Sequence, residues 1–153
     1  MPRRPPLGPL ALVLAVACSS GGATTASDAV PVTPVNGLSA ATLLSCGDLK
    51  GQLPRELASG VSKRPTVPDS STTTAYGADP PISVRCGVPP GSAADEPYVF
   101  DGVRWAMHDS GASRTWTTRG LKVNVMVVVP DHFQAQAELL AAMARPITSA
   151  LSR

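Results

Sequence analysis

Apolar and polar positions alternate along much of the second half of the chain. The alternation covers four segments, residues 82–86, 103–108, 114–118 and 121–129, and the last is the strongest. A period of two is typical of strands that bury one face and expose the other. The pattern therefore predicts an antiparallel sheet of about four strands that is covered on one side.

The segments between these strands have turn composition, and they predict the register of the sheet. A four-residue turn at residues 109–112 places Trp105 directly opposite Trp116, and a tight turn at residues 119–120 starts the last strand at Leu121. In this register Arg104, His108, Thr115, Thr117, Arg119, Lys122 and Asn124 share the polar face. The apolar face carries Val103, Trp105, Met107, Trp116, Leu121, Val123, Val125, Val127 and Val129.

Apolar residues at three- and four-residue steps predict one helix before the sheet, within residues 38–57. Ser39 or Thr42 is expected to cap its start, and Pro54 limits its end. The buried stripe consists of Leu43, Cys46, Leu49 and Leu53.

A second helix is predicted after the sheet, at residues 135–145. Asp131 with Gln134 three residues later forms a start that resembles a capping box, and Pro146 is expected to kink or end the helix. Its core-facing side carries Leu139, Leu140 and Met143, and Ile147 continues the stripe. Both helices are expected to cover the apolar face of the sheet, which predicts a single small α+β domain.

The first 18 residues have the pattern of an export signal. Arg3 and Arg4 precede a short apolar run at residues 10–17, which is below the length of about 20 residues that a spanning helix needs. Small residues before Cys18, followed by Ser-Ser-Gly-Gly, resemble the lipobox of bacterial lipoproteins. The resemblance implies that residues 1–17 are removed and that Cys18 carries lipid at the mature N-terminus. Simple secretion without lipid is the alternative.

Residues 18–37 are predicted to be the lipidated cysteine and a disordered tether, because they are rich in small polar residues and carry one charge. The domain is then residues 38–153, on the extracytoplasmic side of the cell membrane. Within it, residues 62–81 contain four prolines and a Ser/Thr run, and they are expected to form a long exposed loop.

The basic charge belongs to the signal segment. Removal of Arg3 and Arg4 lowers Lys plus Arg from 13 to 11, against 11 Asp plus Glu. A neutral domain without a basic stripe gives no support for nucleic-acid binding.

Cys46 and Cys86 are left as a pair once Cys18 is assigned to lipid. An exported protein is in a compartment where disulfides persist, so a structural bridge is expected. A reactive thiol or a metal ligand is the alternative, but no third cysteine or suitably spaced histidine joins the pair.

Several motifs resemble an actinobacterial family called domain of unknown function 3515. They are Cys46-Gly-Asp-Leu49 with Leu53-Pro54, Val84-Arg-Cys-Gly-Val-Pro89, Asp101-Gly-Val-Arg-Trp105, and the run 123–130 before the last helix. The resemblance covers about residues 38–151. It implies an exported or membrane-attached protein with the two cysteines in matching places, and it implies no activity.

The chain offers little for catalysis or for a cofactor. Its two histidines, His108 and His132, each have an aspartate neighbour in sequence, but neighbours on a strand point to opposite faces. There is no Gly-x-Ser-x-Gly elbow and no glycine-rich phosphate loop. We predict no catalytic residue, no metal and no cofactor.

A cluster of cations on the polar face of the sheet is the best candidate for binding an anionic group. Arg104, Arg119 and Lys122 form the predicted face, and Arg85 is expected to project beside them. The alternative is a plain solvated face.

Three functions are compatible with these features. The leading hypothesis is a lipid-anchored, non-catalytic module that contacts another envelope component, and an exposed apolar patch near Met126 and Val128 would favour it. The second is a small-ligand-binding lipoprotein, in which a pocket lies beneath the loop 62–81. The third is a cell-wall hydrolase, which needs a serine or cysteine in contact with a histidine that is backed by an acid.

Overall fold

The computed structural model describes residues 28–152 and shows an α+β fold. The helices are α1 (Ala40–Gln52) and α2 (Gln136–Leu151). The strands in the described part are β1 (Val30–Pro31), β2 (Glu56–Leu57), β3 (Val61–Arg64), β4 (Thr66–Val67), β5 (Thr73–Tyr76), β6 (Ile82–Val88), β7 (Glu96–Phe100), β8 (Val103–Asp109), β9 (Ser113–Arg119) and β10 (Asn124–Pro130).

The main sheet has eight antiparallel strands in the order β2-β3-β5-β6-β10-β9-β8-β7, and β1 pairs with β4 in a small parallel sheet. The prediction of about four strands was therefore wrong. Alternation did identify the four central strands, but the added strands are short, rich in threonine or interrupted by Pro97. Such segments carry a weak apolar signal, and only pairing with the central strands makes them part of the sheet.

The predicted exposed loop at residues 62–81 contributes strands to both sheets. It contains β4 and β5, and every residue from Thr72 to Tyr76 is buried. Threonine is a good strand former because its branched side chain packs well on a pleated surface. Composition alone was misleading, since the cover for this segment comes from residues far away in sequence.

Part of that cover is the second half of the predicted tether. Val30 is only 4% exposed, and its N–H donates to the Pro65 carbonyl at 2.9 Å. The Val35 N–H donates to Thr72 Oγ1 at 3.1 Å, and Arg64 donates to the Asp28 carbonyl. Residues 28–35, which were predicted to be tether, thus pack against the strands.

The signal segment, Cys18 and residues 19–27 lie outside the described residues. None of the helices in the described part is long and apolar enough to cross a membrane.

Both helices pack on the same face of the sheet, here called the inner face. The Cys46–Cys86 disulfide is confirmed, and it joins α1 to β6 across a separation of 40 residues. The predicted apolar face is confirmed as well, because its residues either belong to the core or pack against it. The sheet contributes Val84, Val103, Trp105, Trp116, Val125, Val127 and Val129, and α2 contributes Leu139, Leu140, Met143 and Ile147.

The predicted register was wrong by an even number of residues. Trp105 lies opposite Thr118, and Trp116 lies opposite Met107. Strand β10 begins at Asn124 instead of Leu121. A slip of two residues keeps each side chain on its own face, which explains why the faces were correct while the pairs were not.

The helix ends were predicted with mixed success. Ser39 caps α1, and its Oγ accepts from the Thr42 N–H at 3.2 Å; Leu43, however, is 40% exposed. Helix α2 begins after Ala135, within one residue of its predicted start but without a side-chain cap, and it runs through Pro146 to Leu151, so its predicted end at Arg145 was wrong. Burial of Ile147 and Leu151 favours continuation past the proline.

Candidate functional site

The outer face of the sheet, opposite the helices, is covered at both ends. We call residues 28–35 the N-terminal segment and residues 89–95 the connector. The N-terminal segment lies near β5 and β6, where Thr73, Ser83 and Arg85 point outward because their neighbours Thr74, Val84 and Cys86 point inward. The connector lies against β8 and β9.

A pocket of about 320 Å³ separates the N-terminal segment from β5 and β6. We call it the N-terminal pocket. Its volume is at the lower end of the range of about 300–1,000 Å³ that is usual for small-molecule sites. Its apolar walls include Val30, Pro31, Val32 and Pro81.

Two polar side chains in this pocket contain buried atoms without a hydrogen-bond partner. They are Thr73 Oγ1 and Arg85 Nε. Thr73 is 2% exposed and lies directly opposite Arg85 in the β5–β6 pair. Leaving a buried donor unpaired costs about 1–3 kcal/mol, more when it is charged. The two paired residues therefore bring unused hydrogen-bonding capacity to the lining of one pocket.

Arg85 also lacks a counter-ion nearby. Among residues 28–152, the ion pairs within 4 Å involve Lys50, Arg64, His108 and Arg114, and none involves Arg85. A guanidinium keeps its charge at every physiological pH. The pocket thus combines a permanent positive charge with mostly aliphatic walls.

The predicted anion-binding face at the other end is organised differently. Arg104 lies directly opposite Arg119, and exposed Lys122 lies in the bend before β10. Arg119 Nε donates to the Gly91 carbonyl at 3.1 Å, and its Nη2 donates to the Ser92 carbonyl. The structure brings two of the predicted cations together, but it uses Arg119 to hold the connector.

A second basic hollow, of about 210 Å³, lies beside the C-terminal end of α1. Lys50 Nζ donates to Asp69 Oδ1 at 2.5 Å and to the Ser70 carbonyl at 2.7 Å, and Lys63 Nζ donates to the Lys50 carbonyl at 2.6 Å. Burial lowers the pKa of Lys63, and the charges of Lys50 and Arg55 lower it further. These ammonium groups have acceptors and act as structural links.

The histidines and cysteines form no catalytic arrangement in the described part of the chain. His108 Nδ1 is 3.5 Å from Asp95 Oδ1, with the imidazole side chain 66% exposed, and His132 lies beside Phe133. Both described cysteines are joined in the disulfide. No group of three His, Cys, Asp or Glu side chains that could hold a metal occurs within residues 28–152.

The sequence analysis placed Arg85 beside the other cations of one anion-binding face, whereas the structure places it in the N-terminal pocket, with β10 between its strand and β9. The other components of the pocket were missed. Thr73 belongs to a run of threonines that was predicted to be exposed. The N-terminal segment was predicted to be tether. One available signal was the β-forming stretch Thr72–Tyr76, which is typical of a strand despite its polar composition.

Comparison with known proteins gives one match. The model of a family described as a protein of unknown function, DUF3515, matches residues 7–153. No curated protein and no solved structure matches the chain. The matched region contains both cysteines of the disulfide and every residue of the N-terminal pocket.

Proposed function

Because the chain belongs to the DUF3515 family, which is described only as of unknown function, we propose a function from its own geometry. The protein is a membrane-anchored, non-catalytic binding protein of the cell envelope, and it holds a small ligand in the N-terminal pocket. One observation carries the proposal: Thr73 and Arg85, which each contain a buried polar atom without a hydrogen-bond partner, line one pocket of suitable size.

The alternatives have weaker support. Met126 and Val128 are half-buried, so they do not form the exposed apolar patch that would favour a protein partner. The hydrolase hypothesis requires a contact between a histidine and a serine or cysteine, and no such contact supports it among the described residues. The described thiols are joined in the disulfide, and the close partner of His108 is Asp95.

Anchoring is supported by the sequence of the first 18 residues. The described domain begins at Asp28, ten positions after Cys18. Ten residues span at most about 35 Å when fully extended. The N-terminal segment, which forms one wall of the pocket, would therefore lie within that distance of the lipid, and the ligand would be met close to the membrane surface.

Cell fractionation tests the anchor. The Cys18→Ser variant should move from the membrane fraction to the soluble extracytoplasmic fraction, because it loses the thiol that accepts lipid. If a processed Cys18→Ser form stays in the membrane fraction, lipid on Cys18 does not anchor the protein.

Native mass spectrometry of the mature protein, purified from its own cells in mild detergent, tests ligand binding. Wild type should carry a small molecule that is absent from Ser83→Leu, in which the larger side chain fills the pocket. Thr115→Leu is the matched control, because Thr115 lies on the same outer face but outside the pocket. If Ser83→Leu and wild type carry the same molecules, or none, the pocket is not the binding site.

A further inference from the structure

We infer that the N-terminal pocket takes a compact oxyanion, a carboxylate or a phosphate, attached to a short aliphatic body. Arg85 and Thr73 would be the partners of the oxyanion. This inference rests on the proposed function and adds the chemical class of the ligand to it.

The first argument is the donor set. Arg85 Nε can only donate a hydrogen bond, and the Thr73 hydroxyl can donate as well. An oxyanion offers several lone pairs to a guanidinium, whose Nε and Nη groups donate in parallel as a fork. A neutral acceptor would satisfy a single donor and leave the charge of Arg85 without compensation.

The second argument is convergence. Thr73 and Arg85 project from adjacent strands at directly opposed positions, where Cβ atoms are about 4.5–5.5 Å apart. Donors from two adjacent strands can therefore reach one small group. Both strands belong to the main sheet, and Cys86, next to Arg85, is fixed to α1 by the disulfide. The donors are held by the fold before any ligand arrives.

The third argument concerns the rest of the ligand. Val30, Pro31, Val32 and Pro81 give the walls their aliphatic character, and no aromatic side chain lines the pocket. Arg85 is the one charged residue among the residues of the lining. One cation and a volume of about 320 Å³ suit a single anionic group on a small body, and they do not suit a polyanion or a ligand that needs ring stacking.

A comparison with the basic hollow near α1 shows why the N-terminal pocket is the better candidate for an anion. Lys50 and Lys63 carry charges of the same sign, but their ammonium groups already donate to a carboxylate and to backbone carbonyls. An anion arriving there would have to replace existing partners. At Arg85 an anion would have no ion-pair partner to displace among residues 28–152.

Isothermal titration calorimetry of the full-length mature protein tests the inference with four probes: valerate, butyl phosphate, neutral valeramide and inorganic phosphate. Valerate or butyl phosphate should bind, and valeramide should bind at least about tenfold more weakly, because a hydrogen bond to a charged group contributes about 1.5 kcal/mol or more. The ratio of the dissociation constants of valerate and butyl phosphate identifies the preferred oxyanion. Binding of inorganic phosphate as tight as that of butyl phosphate would show that the aliphatic walls contribute nothing, which would overturn that part of the inference.

Variants assign the binding to the pocket. Arg85→Gln should lose at least about tenfold in affinity, Arg85→Lys less because it keeps the charge without the fork, and Thr73→Val several-fold. Arg104→Gln, on the same outer face but outside the pocket, should bind like wild type. The melting temperature of each variant establishes that it is folded before titration.

The two proposals fail in different ways. If valeramide binds as tightly as valerate and Arg85→Gln has no effect, while Ser83→Leu still abolishes binding, the pocket binds ligand but the oxyanion inference is wrong. If the probes fail to bind and a neutral molecule copurifies with wild type but not with Ser83→Leu, the outcome is the same. If no probe binds and nothing copurifies, both proposals are wrong.

Discussion

The two ends of the outer face use similar residues in opposite ways. At the connector end, the carbonyls of Gly91 and Ser92 point at Arg119 and take up its donors. At the pocket end, the N-terminal segment pairs its backbone with β4, through Val30 N–H to Pro65 and Val32 N–H to Val67, and Arg85 Nε stays unpartnered. A positive charge on a sheet face is therefore no guide to binding until the acceptors of the covering chain are known.

The covers also differ in origin. The connector joins β6 to β7, and since β10, β9 and β8 lie between these two strands in the sheet, it has to cross the sheet to reach β7. The N-terminal segment lies more than 35 residues before β5 and reaches it through pairing with β4. At one end the connector is bonded to Arg119 through its carbonyls, and at the other a pocket lies beneath a segment that is distant in sequence. The following variants compare these two arrangements.

Loss of the disulfide should have the largest effect, and mainly at the pocket end. Replacing Cys46 and Cys86 together by alanine should lower the free energy of unfolding by about 4 kcal/mol, the chain-entropy value for a loop of 40 residues. Hydrogen exchange should accelerate more in β5 and β6 than in β8 and β9, since Cys86 lies in β6. Chemical denaturation measures the first effect. Uniform acceleration across the sheet would mean that the disulfide does not hold the pocket end selectively.

Gly91→Ala should disturb the connector end. A Cβ at this position would overlap the Ala106 methyl and lie 2.9 Å from the Thr117 carbonyl oxygen, so the connector must move away from the sheet. Overpacking of this kind costs about 1–3 kcal/mol. Thermal unfolding measures the loss. The control is Gly51→Ala, which should be as stable as wild type or more stable, because a Cβ there meets nothing within 4 Å and alanine favours helix α1. An unchanged melting temperature in Gly91→Ala would show that the connector is loosely held.

The same contrast explains how much of the fold followed from the sequence. Strands β6, β8, β9 and β10 were predicted because each carries its own alternation, and the Cys46–Cys86 pair because export leaves few alternatives. The register was predicted wrongly, because alternation fixes the face of a strand but not which of several even slips occurs. The turn at residues 109–112 permitted a register that places Trp105 opposite Trp116, and packing selected another.

Only the parts of the site that leave a pattern in the neighbouring sequence were predicted. Arg85 was recognised as an outward cation on β6, since its neighbours in sequence are apolar. Thr73 was missed because a buried threonine resembles an exposed one until its cover is known. That cover includes Val30, whose burial depends on pairing with Thr66, a contact between segments with no local signal.

Arg119→Gln should have a smaller effect than either change above. It removes a charged donor from two backbone carbonyls on a half-exposed surface, which is expected to cost about 1 kcal/mol. Arg104→Gln is the control, because Arg104 is exposed opposite Arg119, and its effect should stay within about 0.5 kcal/mol. Equal losses in the two variants, measured by urea denaturation, would contradict the idea that Arg119 holds the connector.

Arg85→Met should have the smallest effect on the ligand-free protein and the most informative one. Methionine keeps the stem of the side chain and removes a donor that has no partner, so stability should be unchanged or higher by up to about 1 kcal/mol. Arg119→Met, the same replacement at the connector end, should be destabilising. The change in the free energy of unfolding should therefore have opposite signs at the two ends, or be clearly larger at the connector end. Adding valerate at about 100 times the wild-type dissociation constant should reverse the order at the pocket end, because wild type then gains about 2.7 kcal/mol, while a variant that binds tenfold more weakly gains only about 1.4 kcal/mol. If Arg85→Met is as destabilising without ligand as Arg119→Met, Arg85 has a structural partner in solution and the two ends of the outer face are alike.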